Sequence, residues 1–319
     1  MDVFGIVASA QEKYLRAAVL RAALELQLWP ALPATAAEAA RALGARSPRR
    51  LCRLLEALAL FGFARREGEV FHPLVHPAPG PVPDAGWGRL AEVIRTDRPV
   101  AEPGVSGDDA PEALRRFHDY LFEAGGEPAR EMWDLIAQIV GGAPAQASGL
   151  RPQASGLRPE FGPLLDLGGG AGAYAAAFPG EGTLVDTAAV LRLARAPRAR
   201  LLALDLLSGV YPGEQGVALL ANVLHLFGAA ECRALISKAA AAVRRGGLLV
   251  VKDLEIDAAR TGPPQSVLFA LNMALFTEAG DVHPAQAVEA WLRDAGLGAP
   301  RRLRLRTSPG SLVLACAKP

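Results

Sequence analysis

The sequence predicts an α/β fold, in which an α-rich domain precedes a mostly parallel sheet domain. After residue 161, short apolar runs alternate with helical patterns, as expected of parallel strands joined by right-handed crossover helices. The chain ends in two strand-like runs joined by Ser308, Pro309 and Gly310, a pattern typical of an antiparallel hairpin at a sheet edge. We expect a first domain at residues 1–105, a helical connector at 106–145, a linker at 146–160 and the sheet domain at 161–319.

The composition is typical of a globular chain with enough apolar material for two domains. Of the 319 residues, 51% are hydrophobic and 21% are charged. The formal net charge of +1 provides no overall field for nucleic acid or an anionic membrane. The three cysteines lie far apart in apolar contexts, so we expect reduced core residues and no metal site. No signal-like start and no apolar run near the ~20 residues of a membrane span are found, so a cytoplasmic location is expected.

The first helical pattern, from Phe4 to Trp29, carries apolar residues around more than one stripe of its surface. Since a domain of this size would leave such a helix partly uncovered, we expect a homodimer in which a second subunit covers it. A capping box at Thr35 and Glu38 and an N-cap at Ser47 predict two further helices, followed by a hairpin. Three helices and a hairpin are the pattern of a winged-helix domain.

Arginines in this N-terminal region leave two interpretations open. They are Arg49, Arg50, Arg53, Arg65 and Arg66. In a transcription regulator, these side chains would contact DNA. In a dimerisation module they would form a solvated face, and we favour this interpretation because no other part of the chain is basic.

Two helical segments carry candidate substrate-binding residues. The helix expected from Pro111 to Val140 has an apolar surface that could roof a pocket or pack on the next domain, and residues 265–280 form an inserted helical piece. The candidates are Phe117, Leu121, Asn272, Met273 and Phe276. Between the two segments, the heptapeptide QASGLRP occurs twice in residues 146–159, and we interpret it as a duplicated linker because two copies are too few for a solenoid.

An apolar run at residues 164–167 ends in a glycine-rich turn that passes into a helical pattern. Glycine permits a sharp turn whose backbone lies against a ligand, and the N-terminus of the following helix is open to that ligand. Gly168, Gly170 and Asp186 fit the spacing of a dinucleotide site in which the acid binds a ribose. A nicotinamide cofactor is therefore one interpretation, and an α/β domain with a glycine turn and no such cofactor is another.

Two further acids favour S-adenosylmethionine. Asp166 precedes the first glycine by two residues, where a carboxylate can reach an ammonium group through backbone or water contacts. Asp205 closes a later apolar run, where its carboxylate could accept a hydrogen bond from the adenine amine. Leu206 would lie beside the adenine ring. The antiparallel hairpin at the end of the chain also counts against the dinucleotide fold.

Six motifs then point to one family: LLDLGGGAGAYAAAF, LVDTAAVLRLAR, LDLLSGVYP, LLANVLHLFGAAEC, RRGGLLVVKDL and LNMALFTEAG. With them the chain resembles the small-molecule O-methyltransferases that have an N-terminal winged-helix dimerisation domain, of the plant caffeate type and its bacterial antibiotic-pathway relatives. The resemblance implies a Rossmann-like methyltransferase domain at residues 161–319 that binds S-adenosylmethionine. By position, the cofactor site falls on Asp166, Gly168, Gly170, Asp186, Asp205 and Leu206.

The resemblance also implies that His225 is the general base and that Asp253 orients it. The expected reaction is in-line transfer of a methyl group to a hydroxyl of a small aromatic or polyketide-like metabolite. Two departures leave alternatives open, because Leu226 replaces an aspartate after the base and Val282 replaces a second orienting glutamate. The alternatives are methyl transfer to carbon or nitrogen, non-methylating chemistry with bound S-adenosylmethionine, and the transcription regulator. No nucleic acid or membrane partner is expected.

Overall fold

A computed structural model of the protein describes residues 3–74, 86–100, 110–140 and 162–319. These residues belong to two compact units. The first unit contains Met1–Ser106 and Ile256–Val282, and the second contains Gly107–Glu255 and His283–Pro319. The boundaries expected near residues 105, 145 and 160, and the duplicated linker, lie outside the described residues and stay predictions.

The helices and strands are numbered in chain order. The helices are α1 (Val3–Glu25), α2 (Ala36–Ala42), α3 (Pro48–Leu60), α4 (Leu90–Thr96), α5 (Ala110–Val140), α6 (Ala173–Ala177), α7 (Ala188–Leu191), α8 (Ala229–Ala242), α9 (Pro264–Phe276) and α10 (Ala285–Asp294). The strands are β1 (Ala34–Thr35), β2 (Ala64–Glu67), β3 (Val70–Pro73), β4 (Leu164–Leu167), β5 (Gly182–Asp186), β6 (Ala199–Ala203), β7 (Gln215–Ala221), β8 (Val243–Leu254), β9 (Arg301–Leu303) and β10 (Ser311–Ala317).

Local capping sets the helices of the first unit as the sequence predicts. The Glu38 amide donates to Oγ1 of Thr35 at 3.3 Å, while the Thr35 amide donates to the Glu38 carboxylate at 2.9 Å, which completes a capping box at the start of α2. The Arg50 amide donates to Oγ of Ser47 at 3.2 Å at the start of α3. The hairpin of β2 and β3 is antiparallel, with β3 between β1 and β2. The helices and hairpin expected of the N-terminal region are confirmed.

Helix α9 contributes to the core of this first unit. Its Leu268, Leu271 and Leu275 are buried in one apolar cluster with residues of α1, α3 and α4. The sequence indicated an inserted helical piece here but gave no sign of which apolar surface it would cover. Burial of apolar area is the main stabilising contribution in such a cluster.

The arginines of α3 bind this same inserted piece. The Arg53 guanidinium donates to Oδ2 of Asp281 at 2.7 Å and to Oε2 of Glu56 at 2.8 Å, and its side chain is only 11% exposed. Arg50, which is 1% exposed at its side chain, donates to Oδ1 of Asp97 at 2.9 Å and to the Thr277 carbonyl at 3.2 Å. Both expectations for Arg50 and Arg53 are therefore wrong: the two residues lie neither on a DNA-contacting surface nor on a solvated face. Their guanidinium groups are buried and paired with carboxylates and carbonyls.

A seven-stranded sheet forms the second unit, in the order β6-β5-β4-β7-β8-β10-β9. Strands β4 to β8 pair in parallel, while β10 is antiparallel to both β8 and β9. Every residue of β4 and β7 is buried, as expected of central strands covered on both faces. This confirms the Rossmann-like fold with a mostly parallel sheet and a C-terminal antiparallel hairpin.

Helix α7 has only four residues and ends at Leu191. Beyond its last residue, the amides of Leu193 and Ala194 bond to carbonyls three residues back, and the Arg195 amide donates to the Ala171 carbonyl at 2.8 Å. This last bond joins the segment after α7 to the glycine-rich turn. Helix α5 also approaches this region, since a Cβ built on its Gly125 would lie 3.1 Å from Cβ of Ala173. Among the described residues, no helix combines the length and apolar character that a membrane span needs.

Candidate active site

The glycine-rich turn after β4 lies beside the end of β5. Gly168 and Gly170 have φ angles of +69° and +61°, which residues with a Cβ rarely adopt. The amide of Gly170 donates to Oδ2 of Asp186 at 2.9 Å, and the amide of Thr187 donates to Oδ1 at 2.7 Å. The structure thus brings together Gly168, Gly170 and Asp186, the residues that the sequence assigned to a cofactor.

Gly169 is a further essential part of this turn that the residue-by-residue assignment missed. A Cβ built on it would lie 2.4 Å from Cδ1 of Leu184 and 2.5 Å from Oδ2 of Asp166. No side chain fits at such distances without displacing both neighbours. The run of three glycines in the sequence is the signal that could have identified it.

Asp166 is completely buried below the turn. Among the described residues, neither carboxylate oxygen has a hydrogen-bond partner of good geometry. Burial is the main cause that raises the pKa of Asp166 to about 7; the Ala175 amide opposes this effect, and the nearby charge of Asp186 adds to it. An orphaned acid beneath a turn that admits no Cβ fits a site for a cationic ligand group.

Asp205 and Leu206 follow β6. Oδ1 of Asp205 accepts the amide of Leu207 at 3.1 Å, and the amide and hydroxyl of Ser208 at 2.7 Å each. These bonds, led by the Ser208 amide, hold the pKa of Asp205 below its usual value. A Cβ built on Gly168 would lie 3.2 Å from Cδ1 of Leu206, so this leucine borders the glycine turn.

His225 lies in a short 3-10 helix after β7 and is buried, with its imidazole against the end of β8. Its Nδ1 is 2.7 Å from Oδ1 of Asp253, and its backbone amide donates to Oδ2 at 3.2 Å. Burial alone would raise the pKa of Asp253, but the His225 imidazole, the Leu254 amide and the Lys252 charge together hold it below its usual value. The ionised carboxylate therefore fixes the orientation of the ring.

The buried Lys252 and the half-buried Asn222 form a second pair at these strand ends, which the sequence reasoning missed. Lys252 donates through Nζ to Oδ1 of Asn222 at 2.8 Å, and the Asn222 amide donates to the Lys252 carbonyl at 2.7 Å. Burial lowers the pKa of Lys252, although the charge of Asp253 opposes this effect. Asn222 has a φ of +57°, a left-handed conformation that asparagine tolerates better than most residues.

The candidate substrate-binding residues are divided between the two units. Phe117 and Leu121 are on α5 of the second unit, where their side chains are exposed. Asn272, Met273 and Phe276 are on α9 of the first unit, where Met273 is buried and Phe276 packs against the apolar cluster. Among the described residues, no three His, Cys, Asp or Glu side chains group as metal ligands would.

His118 of α5 is the other residue near the glycine turn that the sequence did not single out. A Cβ built on Gly170 would lie 3.2 Å from its Nδ1. Its sequence context carries no glycine, strand end or paired acid, so no local signal distinguishes it from a packing histidine.

Comparison with known proteins agrees with this geometry. Residues 154–298 match a family described as an O-methyltransferase domain. The chain is 27% identical to 3-hydroxy-5-methyl-1-naphthoate 3-O-methyltransferase of Streptomyces sahachiroi over 71% of its length and 64% of that protein. It is 31% identical to acetylserotonin O-methyltransferase of Mus musculus over 70% of its length and 58% of that protein. The matches therefore span less than two thirds of these relatives.

A solved structure shows the same fold. Human N-acetylserotonin methyltransferase in complex with SAM superposes with a TM-score of 0.58 at 20% identity, covering 100% of this chain and 98% of that one. The fold, with its glycine turn and acids, is that of a Rossmann-like methyltransferase domain. Over residues 154–298, the chain therefore matches the O-methyltransferase domain of this family. The family and cofactor class that the sequence predicted are confirmed.

Proposed function

We propose that this chain transfers a methyl group from S-adenosylmethionine to a hydroxyl of a small aromatic or polyketide-like metabolite. The observation that carries the proposal is the His225–Asp253 pair, in which Nδ1 and Oδ1 are 2.7 Å apart at the ends of β7 and β8. The segment that holds His225 reaches the glycine turn, because a Cβ built on Gly168 would lie 2.9 Å from Cγ2 of Val223. An acceptor of this kind is supported by the hydroxynaphthoate in the name of the Streptomyces relative.

The cofactor supplies a methyl group that its sulfonium already activates. Asp186 binds the ribose hydroxyls, and the turn at Gly168 and Gly170 allows the backbone to lie against the ligand. Asp166 provides negative charge towards the ammonium group of the methionine end, and Asp205 and Leu206 contact the adenine. The orphaned buried carboxylate of Asp166 is the best support for this arrangement, because a buried acid without partners is costly unless a ligand compensates it.

His225 acts as the general base. With Nδ1 bound to Asp253, the proton of the acceptor hydroxyl goes to Nε2, and the resulting imidazolium is stabilised by the Asp253 carboxylate. Holding donor and acceptor in line provides the larger part of the catalysis, about 7 to 11 kcal/mol in favourable cases. The base adds roughly 10²- to 10⁴-fold.

Only one carboxylate supports this base in the proposed mechanism. Leu226 and Val282 occupy the two positions where the family resemblance would place further acids. The neighbouring Asp281 does not replace it, because its oxygens accept hydrogen bonds from Arg53 and Arg260 at 2.7 and 2.6 Å. We therefore expect acceptors whose own proton is fairly acidic, such as phenols and enols.

Phe117 and Leu121 of α5 stay candidate acceptor-binding residues, as do Asn272, Met273 and Phe276 of α9. Since the first two are exposed on α5, the chain offers apolar surface for a flat ligand. We also propose that the protein is a cytoplasmic homodimer. The half-buried Leu15, Leu20 and Leu24 support the dimer, because each keeps part of its apolar surface exposed on α1.

The test is incubation of the purified chain with methyl-labelled S-adenosylmethionine and a library of phenolic and polyketide-like compounds, followed by mass spectrometry. We expect labelled products that gain one methyl group on oxygen, and a loss of kcat of roughly 10²- to 10⁴-fold in His225→Gln. The matched control is His72→Gln, which alters a histidine of β3 in the first unit. Label on carbon or nitrogen would indicate methyl transfer to that atom, and a product without label would indicate non-methylating chemistry. Either result would contradict the proposed methylation of a hydroxyl.

A further inference from the structure

The imidazole of His118 lies in a nearly closed environment, where one of its nitrogens has no hydrogen-bond partner among the described residues. The residue is 8% exposed, and Nδ1 is buried without a partner among the described residues. Its ring makes an edge contact with Phe117, with centroids 5.5 Å apart, but that contact satisfies no polar atom. Buried polar atoms in folded proteins are almost always paired, so an unpaired one indicates a missing partner.

The unpaired nitrogen faces the glycine turn. A Cβ built on Gly170 would lie 3.2 Å from Nδ1 and 3.5 Å from Cε1 of His118. The amide of Gly170 in turn donates to Oδ2 of Asp186 at 2.9 Å. His118 and Asp186 therefore approach the same residue of the turn, one from α5 and the other from β5.

The segment of α5 that carries His118 is anchored to the turn. The Arg195 amide donates to the Ala171 carbonyl at 2.8 Å, while its guanidinium pairs with Asp119 and Glu123 and stacks over the Phe122 ring at 5.1 Å. His118 is thus held next to Gly170 by neighbours on its own helix. This anchoring makes the ring a fixed part of the site.

We propose that His118 is a cofactor-binding residue whose imidazole forms a hydrogen bond with a ribose hydroxyl of the bound cofactor, beside Asp186. The inference rests on the proposed function, in which Asp186 binds that ribose. Each oxygen of Asp186 already accepts one backbone amide, from Gly170 and Thr187. A ribose diol presents two hydroxyls, so a second protein group beside Asp186 completes its recognition.

The charge state of His118 suits a hydroxyl. Burial lowers the pKa of His118, and the carboxylates of Asp186 and Asp119, which raise it, do not offset the burial. The ring is therefore neutral at neutral pH and can either donate to a hydroxyl or accept from it. A charged partner such as a carboxylate would instead favour the protonated ring.

The test is calorimetric binding of S-adenosylhomocysteine to the full chain and to three variants. His118→Phe keeps the ring shape without polar atoms, His118→Asn places an amide near Nδ1, and His118→Gln places it near Nε2. We expect His118→Phe to weaken binding roughly 3- to 10-fold, the value of one neutral hydrogen bond. His118→Asn should recover most of this loss, and His118→Gln should not. Because Nδ1 has no partner in the described residues, the thermal unfolding temperature without ligand should not fall in His118→Phe.

A second measurement identifies the ribose. The 2′-deoxy and 3′-deoxy analogues of S-adenosylhomocysteine are compared in the wild-type chain and in His118→Phe. If His118 binds one hydroxyl, the penalty of the variant disappears for the analogue that lacks it. An equal penalty for both analogues, or unchanged affinity of His118→Phe for the parent ligand, overturns the inference. Failure of the wild-type chain to bind S-adenosylhomocysteine would instead contradict the proposed function.

Discussion

The carboxylate of Asp253 binds His225 twice, once through the imidazole Nδ1 at 2.7 Å and once through the backbone amide at 3.2 Å. One side chain thereby fixes both the ring and the segment of chain that carries it. A substitution at Asp253 should therefore act directly on the orientation and the tautomer of the His225 ring.

Asp253→Asn should reduce kcat by roughly 10²- to 10⁴-fold with little change in cofactor affinity. An amide can donate to Nδ1, which would leave the proton of the neutral ring on Nε2, where the base must accept one. Steady-state kinetics with S-adenosylhomocysteine calorimetry will measure both quantities. The control is Glu255→Gln, which should retain activity. Glu255 lies two residues after Asp253 and pairs with Arg302 at 2.9 Å. Full activity in Asp253→Asn would contradict a base oriented by this carboxylate.

The buried Asp166 should make stability depend on pH. Its pKa is raised from 3.8 to about 7, so between these pH values the folded chain keeps a proton that the unfolded chain releases. The contribution of the protonated Asp166 to the free energy of unfolding is fully present below about pH 4 and is lost as the pH rises to about 7. About three pH units at about 1.4 kcal/mol each give a change on the order of 4 kcal/mol.

Asp166→Asn removes this titration. Urea unfolding of the ligand-free chain should show the variant gaining stability relative to wild type as the pH rises from 5 to 8. A difference in the free energy of unfolding that stays constant over this range would show that Asp166 is ionised in the folded chain throughout.

Gly169→Ala should weaken both stability and cofactor binding. The new methyl group would overlap Cδ1 of Leu184 and Oδ2 of Asp166, at 2.4 and 2.5 Å, and overpacking of this kind costs about 1 to 3 kcal/mol. Gly213→Ala is the matched control, because a Cβ there meets nothing within 4 Å. Thermal unfolding and calorimetry measure the two effects. Equal unfolding temperatures and equal cofactor affinities in the two variants would show that the turn accommodates a methyl group without loss of stability.

The arginine pairs of the first unit should contribute strongly to its stability. Arg53→Met leaves the buried carboxylate of Glu56 and that of Asp281 each without one of its partners, and we expect a loss of about 3 kcal/mol in urea unfolding. Arg65→Ala should change stability by less than about 0.5 kcal/mol, because Arg65 and its partner Glu67 are exposed. Similar losses in both variants would contradict the distinction between buried and exposed pairs.

The homodimer stays a prediction, and light scattering of the full chain at micromolar concentration tests it. We expect twice the mass of one chain. Helix α1 buries Ala18, Val19, Ala22 and Ala23 within the chain, so the partner would cover the half-buried leucines of this helix. A monomer mass at this concentration would remove the dimer.

Features set by neighbouring residues were predictable from the sequence. The capping box at Thr35 and the glycine turn at Gly168 depend on residue types a few positions apart, and both occur where they were expected. The alternation of apolar runs and helical patterns predicted a mostly parallel sheet, and the structure contains one. Local chemistry therefore accounts for the helices, the strands and the position of the turn.

Features that join distant segments were not predictable. Arg53 and Asp281 are separated by 228 residues, so the composition of the α3 region suggested a basic surface where the fold buries paired arginines. His118 and Gly170 approach one another only because α5 packs beside α6. A single sequence holds no periodicity or spacing from which such contacts follow.

The chain leaves the second unit after Glu255, builds residues 256–282 into the first unit, and returns at His283. The two units are therefore joined by more than one connection, and neither corresponds to a continuous stretch of sequence. A chimaera that exchanged only residues 1–106 with a homologue would pair a foreign core with the native Leu268, Leu271 and Leu275. A chimaera between related chains should therefore fold only when residues 1–106 and 256–282 come from the same parent. The candidate acceptor-binding residues of α9 would then always be exchanged together with the N-terminal region.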